Sequence, residues 1–181
     1  MNPKKVFMSL GIALLGVIFI SSASFSVSGA QATLGDQLIK RIAKELRRLP
    51  HYGVFDNLAF TLDGQTVTLM GQVILGVTQK DAERRVSRIK GVEKVVNQIE
   101  LLPLSANDDH IRMKMYREIF NSTGLYIYAM GPDPSIHIIV KDGHVTLEGV
   151  VGSEADSQFA LMSARKVPGV FSVTNHLRVE K

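Results

Sequence analysis

Five histidines, His51, His110, His137, His144 and His176, are by type the side chains best suited to binding a metal or moving a proton near neutral pH. None stands in an HxxxH or HExxH spacing, and the chain has no Cys to complete a zinc site. His137 and His144 flank Asp142-Gly143, so a cross-hairpin pair is conceivable; they read better as solvated strand or loop residues. Without Cys there is also no thiolate nucleophile, no disulfide and no acylated lipoprotein cysteine. There is neither a GxSxG elbow nor a phosphate-cradling glycine loop. Ser87-Arg-Ile-Lys90 matches SxxK in letters but has no companion motif. Asp108-Asp109 reads as a helix cap rather than a catalytic carboxylate pair. The expectation is a protein that is not an enzyme and holds no metal and no cofactor.

Charge is the remaining chemistry. Lys40, Lys44, Arg47 and Arg48 share one face of a predicted helix, and Lys80, Arg84 and Arg88 form a line on the next helix. Either set is an ordinary solvated face or a contact for anionic lipid headgroups. At roughly 1 kcal/mol per cation near an anionic surface, the first four supply about 4 kcal/mol, a Kd near 1 mM. Stable docking then needs apolar insertion as well. The later half of the chain offers it. Phe120 stands where the earlier half has Arg47, and Phe159, Leu161 and Met162 stand where it has Asp81, Glu83 and Arg84. An insertion of about six residues, within Gly124–Ser135, carries Tyr126 and Tyr128, aromatics suited to a boundary between apolar and wet phases. The Phe159–Met162 face is expected to pack on the first half of the chain, with a lipid- or protein-binding surface as the other reading.

These comparisons between halves rest on a repeat. Residues 145–179 laid on 67–101 match at ten of 35 positions: Val67, Thr68, Leu69, Gly71, Val73, Ala82, Gly91, Val92, Val95 and Asn97. Ordinary composition gives about two by chance. Gly149, Gly169 and Asn175 are the counterparts of Gly71, Gly91 and Asn97. Upstream, Asp63-Gly64 matches Asp142-Gly143 with one extra residue in the first copy, and Leu38, Ile42, Glu45 and Leu46 match Ile111, Met115, Glu118 and Ile119.

A period near 78 is too long for a solenoid turn and suits a small domain. In the first copy, Leu38, Ile42, Leu46 and Leu49 predict a helix over 36–49, capped by Asp36 and ended by Pro50. Residues 58–63 and 66–73 alternate as a hairpin, residues 79–90 are helical with Ala82, Val86 and Ile89 inward and Gly91 as C-cap, and 95–101 form a last strand. The fold class is α+β: two αββαβ domains in tandem, each a three-stranded mixed sheet covered by two helices. Gly71 and Gly149 are read as points where a helix or a neighbouring strand comes close to the backbone. Asn97 and Asn175 are read as backbone-bonding devices. The domains run 34–102 and 107–180 with a linker at 103–106, short enough that the two repeats are expected to touch.

Before them, Lys4 and Lys5, an apolar run from Val6 to Ile20 and an Ala30-Gln31-Ala32 site form a secretory signal peptide over residues 1–32, cleaved after Ala32. The alternative is an uncleaved inner-membrane tether through residues 6–20, short for a span. Without the leader the net charge falls from +4 to +2, so nucleic acid is not an expected partner. The basic excess lies in residues 33–106, with 11 Lys/Arg against 8 acids; residues 107–181 have 8 against 9.

The pattern VTLxGxV, then Ala, then GVxxVxN and a closing apolar strand resembles the BON domain, and it occurs twice. The leader followed by tandem domains is similar to osmotically inducible periplasmic proteins. That resemblance implies the αββαβ fold, envelope maintenance or stress tolerance, and phospholipid binding. The functional expectation is a periplasmic binding protein acting on an anionic phospholipid surface or an envelope protein. The alternative is a protein–protein or chaperone-like module that touches no lipid.

Overall fold

The computed structural model describes residues 34–121, 124–131 and 133–180. The leader read over residues 1–32 lies outside them. The first unit runs α1 (Leu34–Arg47), β1 (Asn57–Asp63), β2 (Thr66–Val73), α2 (Gly76–Ser87), β3 (Lys94–Asn97) and β4 (Glu100–Leu101). The second runs α3 (Ala106–Tyr116), β5 (Ile136–Lys141), β6 (His144–Val151), α4 (Glu154–Arg165) and β7 (Ser172–Val179). A π-helical turn, Arg117–Asn121, extends α3, and a 3-10 turn, Leu125–Ala129, precedes β5. In each sheet the middle strand pairs antiparallel with the strand before it and parallel with the strand that returns after the helix. The architecture is α+β in two units, each a mixed sheet with its own core.

Burial explains each element. Leu38, Ile42 and Leu46 recur at helical spacing on α1 and close over Leu58 and Phe60 of β1, Val67 and Leu69 of β2, and Ala82 and Val86 of α2. Asp36 in the first turn and Lys44 and Arg47 in the last turn of α1 complement the helix dipole. The second core repeats this with Ile111, Met115, Ile138, Val140, Val145, Leu147, Ala160 and Ala164.

Several boundaries differ from the sequence reading. Helix α2 lies three residues earlier than 79–90, because buried Thr78 extends its inward stripe of Ala82 and Val86 toward the N-terminus. Gly91 is therefore not its C-cap. The cap is Arg88, and Gly91 sits beyond it in a turn at φ +102 against the Leu38 methyls, as Gly169 does at +93 against Ile111. The last strand of the first unit is broken at Gln98-Ile99, whereas β7 is continuous. Nor does the first hairpin hold an extra residue. Asp63 pairs with Thr66 and Lys141 with His144, so both loops have two residues and the shared Asp-Gly letters fall at different turn positions. Asp142 (φ 52) and Gly143 (φ 77) are both left-handed, as a type I′ turn requires. Buried Asp108 holds that turn by accepting from both of its amides at 2.9 Å. Asp108 is thus not the helix cap; the Ser105 hydroxyl caps α3 by accepting from the Asp108 amide at 3.2 Å. His137 lies opposite Glu148 and His144 opposite Lys141, so the two histidines form no cross-hairpin pair.

The repeated letters now have a physical reason. A Cβ built on Gly71 would stand 2.0 Å from the Asn57 carbonyl oxygen, and one on Gly149 would stand 2.0 Å from that of Ser135. In both units the start of the first strand crosses the second so closely that only glycine fits. Asn97 donates to the Gln79 carbonyl (3.2 Å) and to Glu83 (2.9 Å), and its oxygen accepts from the Ile99 amide (3.1 Å). Asn175 repeats this with Ser157 (2.9 Å to the hydroxyl) and the Leu177 amide (3.1 Å). Each asparagine ties the second helix to the last strand and occupies an amide that could otherwise recruit a foreign strand.

The units meet where Tyr52–Asp56 crosses β5. The Ile138 amide donates to the Val54 carbonyl at 2.7 Å, and Val54 and Phe55 pack against the second core. His137, on the helix-free face of β5, is only 1% exposed. Its Nδ1–H donates to the Gly53 carbonyl (3.1 Å), which leaves Nε2 to accept from the Tyr52 hydroxyl (3.4 Å). Burial pushes the His137 pKa down to about 4 and the Tyr52 pKa up, so the ring stays neutral and the phenol keeps its proton. Burial also raises Asp56, against the amides of Ile74 and Gly53 that hold its carboxylate, and raises Asp133, against Arg47.

Two outcomes follow for stability. Gly149→Ala must move a backbone carbonyl and is expected to cost about 3 kcal/mol or more in urea unfolding, against about 1 kcal/mol for Gly64→Ala, where φ is +59 and the space is open. Equal costs would remove the close approach as the reason for the repeated glycine. His137 has a folded pKa below its ordinary 6.5, so its contribution is complete above about pH 6.5 and is lost as pH falls through 4. Asp56 and Asp133, raised, act with the opposite sign. Between pH 7 and 4 the wild type should therefore lose as much as about 3 kcal/mol relative to His137→Gln; parallel pH profiles would contradict a neutral buried ring.

Candidate functional site: a basic cleft on the first unit

Helices α1 and α2 lie side by side over the first sheet. Their core stripes point down, so the residues one helical step away line the groove between them. That groove is a cleft of about 720 Å³ lined by Arg41, Lys44, Glu45, Arg84, Arg85, Arg88, Ile89 and Lys90. Six cations share it with one lining carboxylate. Arg85 reaches Glu45 at 3.4 Å, Arg84 pairs with Asp81, and Arg41 donates to the Lys90 carbonyl at 3.3 Å. No ion pair among the described residues engages Arg41, Lys44, Arg88 or Lys90. Such a wall of one sign focuses its field into the cleft and favours an anion there.

Of the residues singled out in the sequence, Lys44, Arg84 and Arg88 come together here. Lys40, Arg48 and Lys80 are exposed but lie outside the cleft. Arg47 turns the other way, half-buried, with its Nε 3.9 Å from Asp133 of the second unit. Arg41, Arg85 and Lys90 complete the cleft and were missed. Their only sequence signal is spacing: Arg41 lies three before Lys44, and Arg85 three before Arg88.

The expected apolar surface of the second unit divides. Phe120 is not on the surface. It is 1% exposed, its ring 4.9 Å from that of Tyr116, which in turn meets Phe55 of the first unit at 6.3 Å. The π-helical turn swings it into the core, where its counterpart Arg47 cannot go. Tyr128 is half-buried and structural: its hydroxyl donates to Asp156 (2.7 Å) and accepts from the Gly152 amide (2.8 Å), fastening the inserted segment to the start of α4. Tyr126 does face solvent, at 58% exposure. Phe159 and Met162 do not pack on the first unit, since each is 48% exposed. Small residues, Ser157, Ala160, Ser163 and Ala164, form the inward side of α4, and helical periodicity turns Phe159 and Met162 away. The first unit docks on β5 instead.

The family model described as BON domain matches residues 36–103 and 107–181. The chain belongs to the BON-domain family. No curated protein sequence matches it. Among solved structures, CdsD, a structural protein of the Type III secretion system of Chlamydia trachomatis, is similar at 11% identity and a TM-score of 0.31, over 80% of this chain and 92% of that one. A structure of the CdsD C-terminal domain is similar at 12% identity and a TM-score of 0.30, over 80% and 98%. Likeness at that level carries no argument about function. BON domains are found in periplasmic and envelope proteins, and no helix among the described residues is long and apolar enough to cross a membrane.

The two BON domains differ where the cleft would be. Arg84, Arg85 and Lys90 of the first correspond to Met162, Ser163 and Pro168 of the second. Replacing Phe159 and Met162 with Ser should change stability by less than about 0.5 kcal/mol, as for other surface positions; a loss of 2 kcal/mol in chemical unfolding would show that this face is covered after all.

Proposed function

We propose that this BON protein works at the bacterial cell envelope as a non-enzymatic binder of anionic phospholipid surfaces, exported by the leader read over residues 1–32 and serving tolerance of osmotic or envelope stress. The observation that carries this reading is the cleft between α1 and α2, where four cations have no carboxylate partner among the described residues. The family supports an envelope setting, and the lipid partner is inferred from the charge. At roughly 1 kcal/mol per cation near an anionic surface, Arg41, Lys44, Arg88 and Lys90 supply about 4 kcal/mol, a Kd near 1 mM for charge alone. Exposed Tyr126 can add apolar contact in the second domain. A second reading, a module that binds envelope proteins and no lipid, is favoured by Phe159 and Met162, two large apolar side chains open on one helix face.

Vesicle flotation separates the two readings. The chain from Thr33, which contains both cores, should float with vesicles containing phosphatidylglycerol and not with pure phosphatidylcholine. Binding should weaken at least tenfold between 0.05 and 0.5 M salt, as the screening length shortens. Absence of flotation with anionic vesicles at low salt would end the lipid reading and leave the protein-binding module.

A further inference from the structure

We propose that the α1–α2 cleft is a discrete site for one dianionic phosphate group, selected as a phosphomonoester over a phosphodiester, so that the first BON domain recognises a headgroup and does more than sense surface charge. A lipid source for that group rests on the function proposed above; the site itself does not.

Three features separate this cleft from a diffuse basic face. Its cations line two opposed walls. Arg41 and Lys44 stand on α1, and Arg84, Arg85, Arg88 and Lys90 stand on α2 and the turn after it. A tetrahedral phosphate presents oxygens toward both walls at once, whereas a planar carboxylate offers two oxygens in one plane. Two of the donors are also held in place. Glu45 fixes the Arg85 guanidinium, and the Lys90 carbonyl fixes that of Arg41, so these two lose little side-chain order on binding. The charge left over is that of Arg41, Lys44, Arg88 and Lys90, enough to hold two negative charges and still favour a second over a first. Its volume of about 720 Å³ leaves room for the alcohol that the phosphate esterifies.

The chain contains its own control. The second BON domain keeps the α-helix pair but puts Met162, Ser163 and Pro168 where the α2 wall has Arg84, Arg85 and Lys90. It keeps basic counterparts of only three of the six cations, Lys114, Arg117 and Lys166 for Arg41, Lys44 and Arg88, so its groove should hold an anion more weakly. One phosphate per chain is expected, at the first domain.

The test uses residues 33–181 at pH 8, where a phosphomonoester carries close to two charges. Vesicles of phosphatidic acid and of phosphatidylglycerol are compared at matched surface charge, with soluble glycerol 3-phosphate titrated separately by amide NMR. Lys44→Gln/Arg88→Gln removes cleft charge; Lys40→Gln/Arg48→Gln removes equal charge outside it. The expected result is at least tenfold tighter binding to phosphatidic acid, a preference lost in the cleft variant and kept in the other, with glycerol 3-phosphate shifting amides around Lys44, Arg88 and Lys90. Equal binding to the two lipids, or equal loss in the two variants, overturns the discrete site and leaves the lipid-surface function standing. Shifts with the soluble ester but no vesicle binding keep the site, assign it to a free phosphate ester and overturn the lipid reading. No response to either ligand overturns both.

Discussion

Each unit depends on how its second helix is tied to its last strand. A three-stranded sheet cannot bury an apolar face by itself, and the roof must stay in register with the strands below. One asparagine does this in each copy. Asn97 bonds α2 through Gln79 and Glu83 while holding the Ile99 amide, and Asn175 bonds α4 through Ser157 while holding the Leu177 amide. The rest follows from that tie. With α2 fixed over the sheet, its outward residues Arg84, Arg85 and Arg88 face Arg41 and Lys44 of α1, and the cleft exists. The glycine pair makes the same arrangement possible from the other edge, by letting the first strand cross the second within a carbonyl's reach.

From one template the two copies diverge in what their helices show to solvent. The first places cations on the groove side of both helices. The second puts small residues inward on α4 and Phe159 and Met162 outward, and turns its counterpart of Arg47 into a core aromatic, Phe120. Divergence is also visible in the polar interior. Asp108 and Arg112 are both buried in the second unit, one holding the hairpin turn and the other donating to the Val140 carbonyl at 2.6 Å. Their first-unit counterparts, Gly35 and Ile39, carry no charge. The junction adds a further asymmetry: Tyr52–Asp56 of the first unit covers β5 and seals a neutral His137, with no equivalent contact in the reverse direction among the described residues.

Much of this was legible in the letters. The 3.6-residue spacing of Leu38, Ile42 and Leu46 and the alternation through 66–73 are local signals, because one buried face imposes one period. The recurrence of Gly71 with Gly149 and of Asn97 with Asn175 pointed to backbone roles, and both have them. What failed depended on neighbours distant in sequence. Phe120 and Arg47 align by letter, but a π-helical turn rotates one inward. Phe159 looked like a contact for the first unit because it is apolar, yet the contact formed at a strand edge whose covering segment, Tyr52–Asp56, has no periodicity to betray it. Asp142-Gly143 looked like a shifted copy of Asp63-Gly64, and only strand register showed two equal loops with different turn geometry.

By itself, then, the sequence determined the number of units, the order of their elements, the buried stripes of the first unit's helices and the absence of cysteine chemistry. These are properties of a chain reading its own near neighbours, where hydrophobic period and backbone freedom act within a few residues. Tertiary structure alone decided which exposed faces oppose one another. Arg41 and Arg85 lie 44 positions apart and become walls of one cleft only because two helices share a sheet. His137 is neutral only because a loop more than 80 residues earlier closes over it. Charge and burial act through space, and distance in space is what the fold sets.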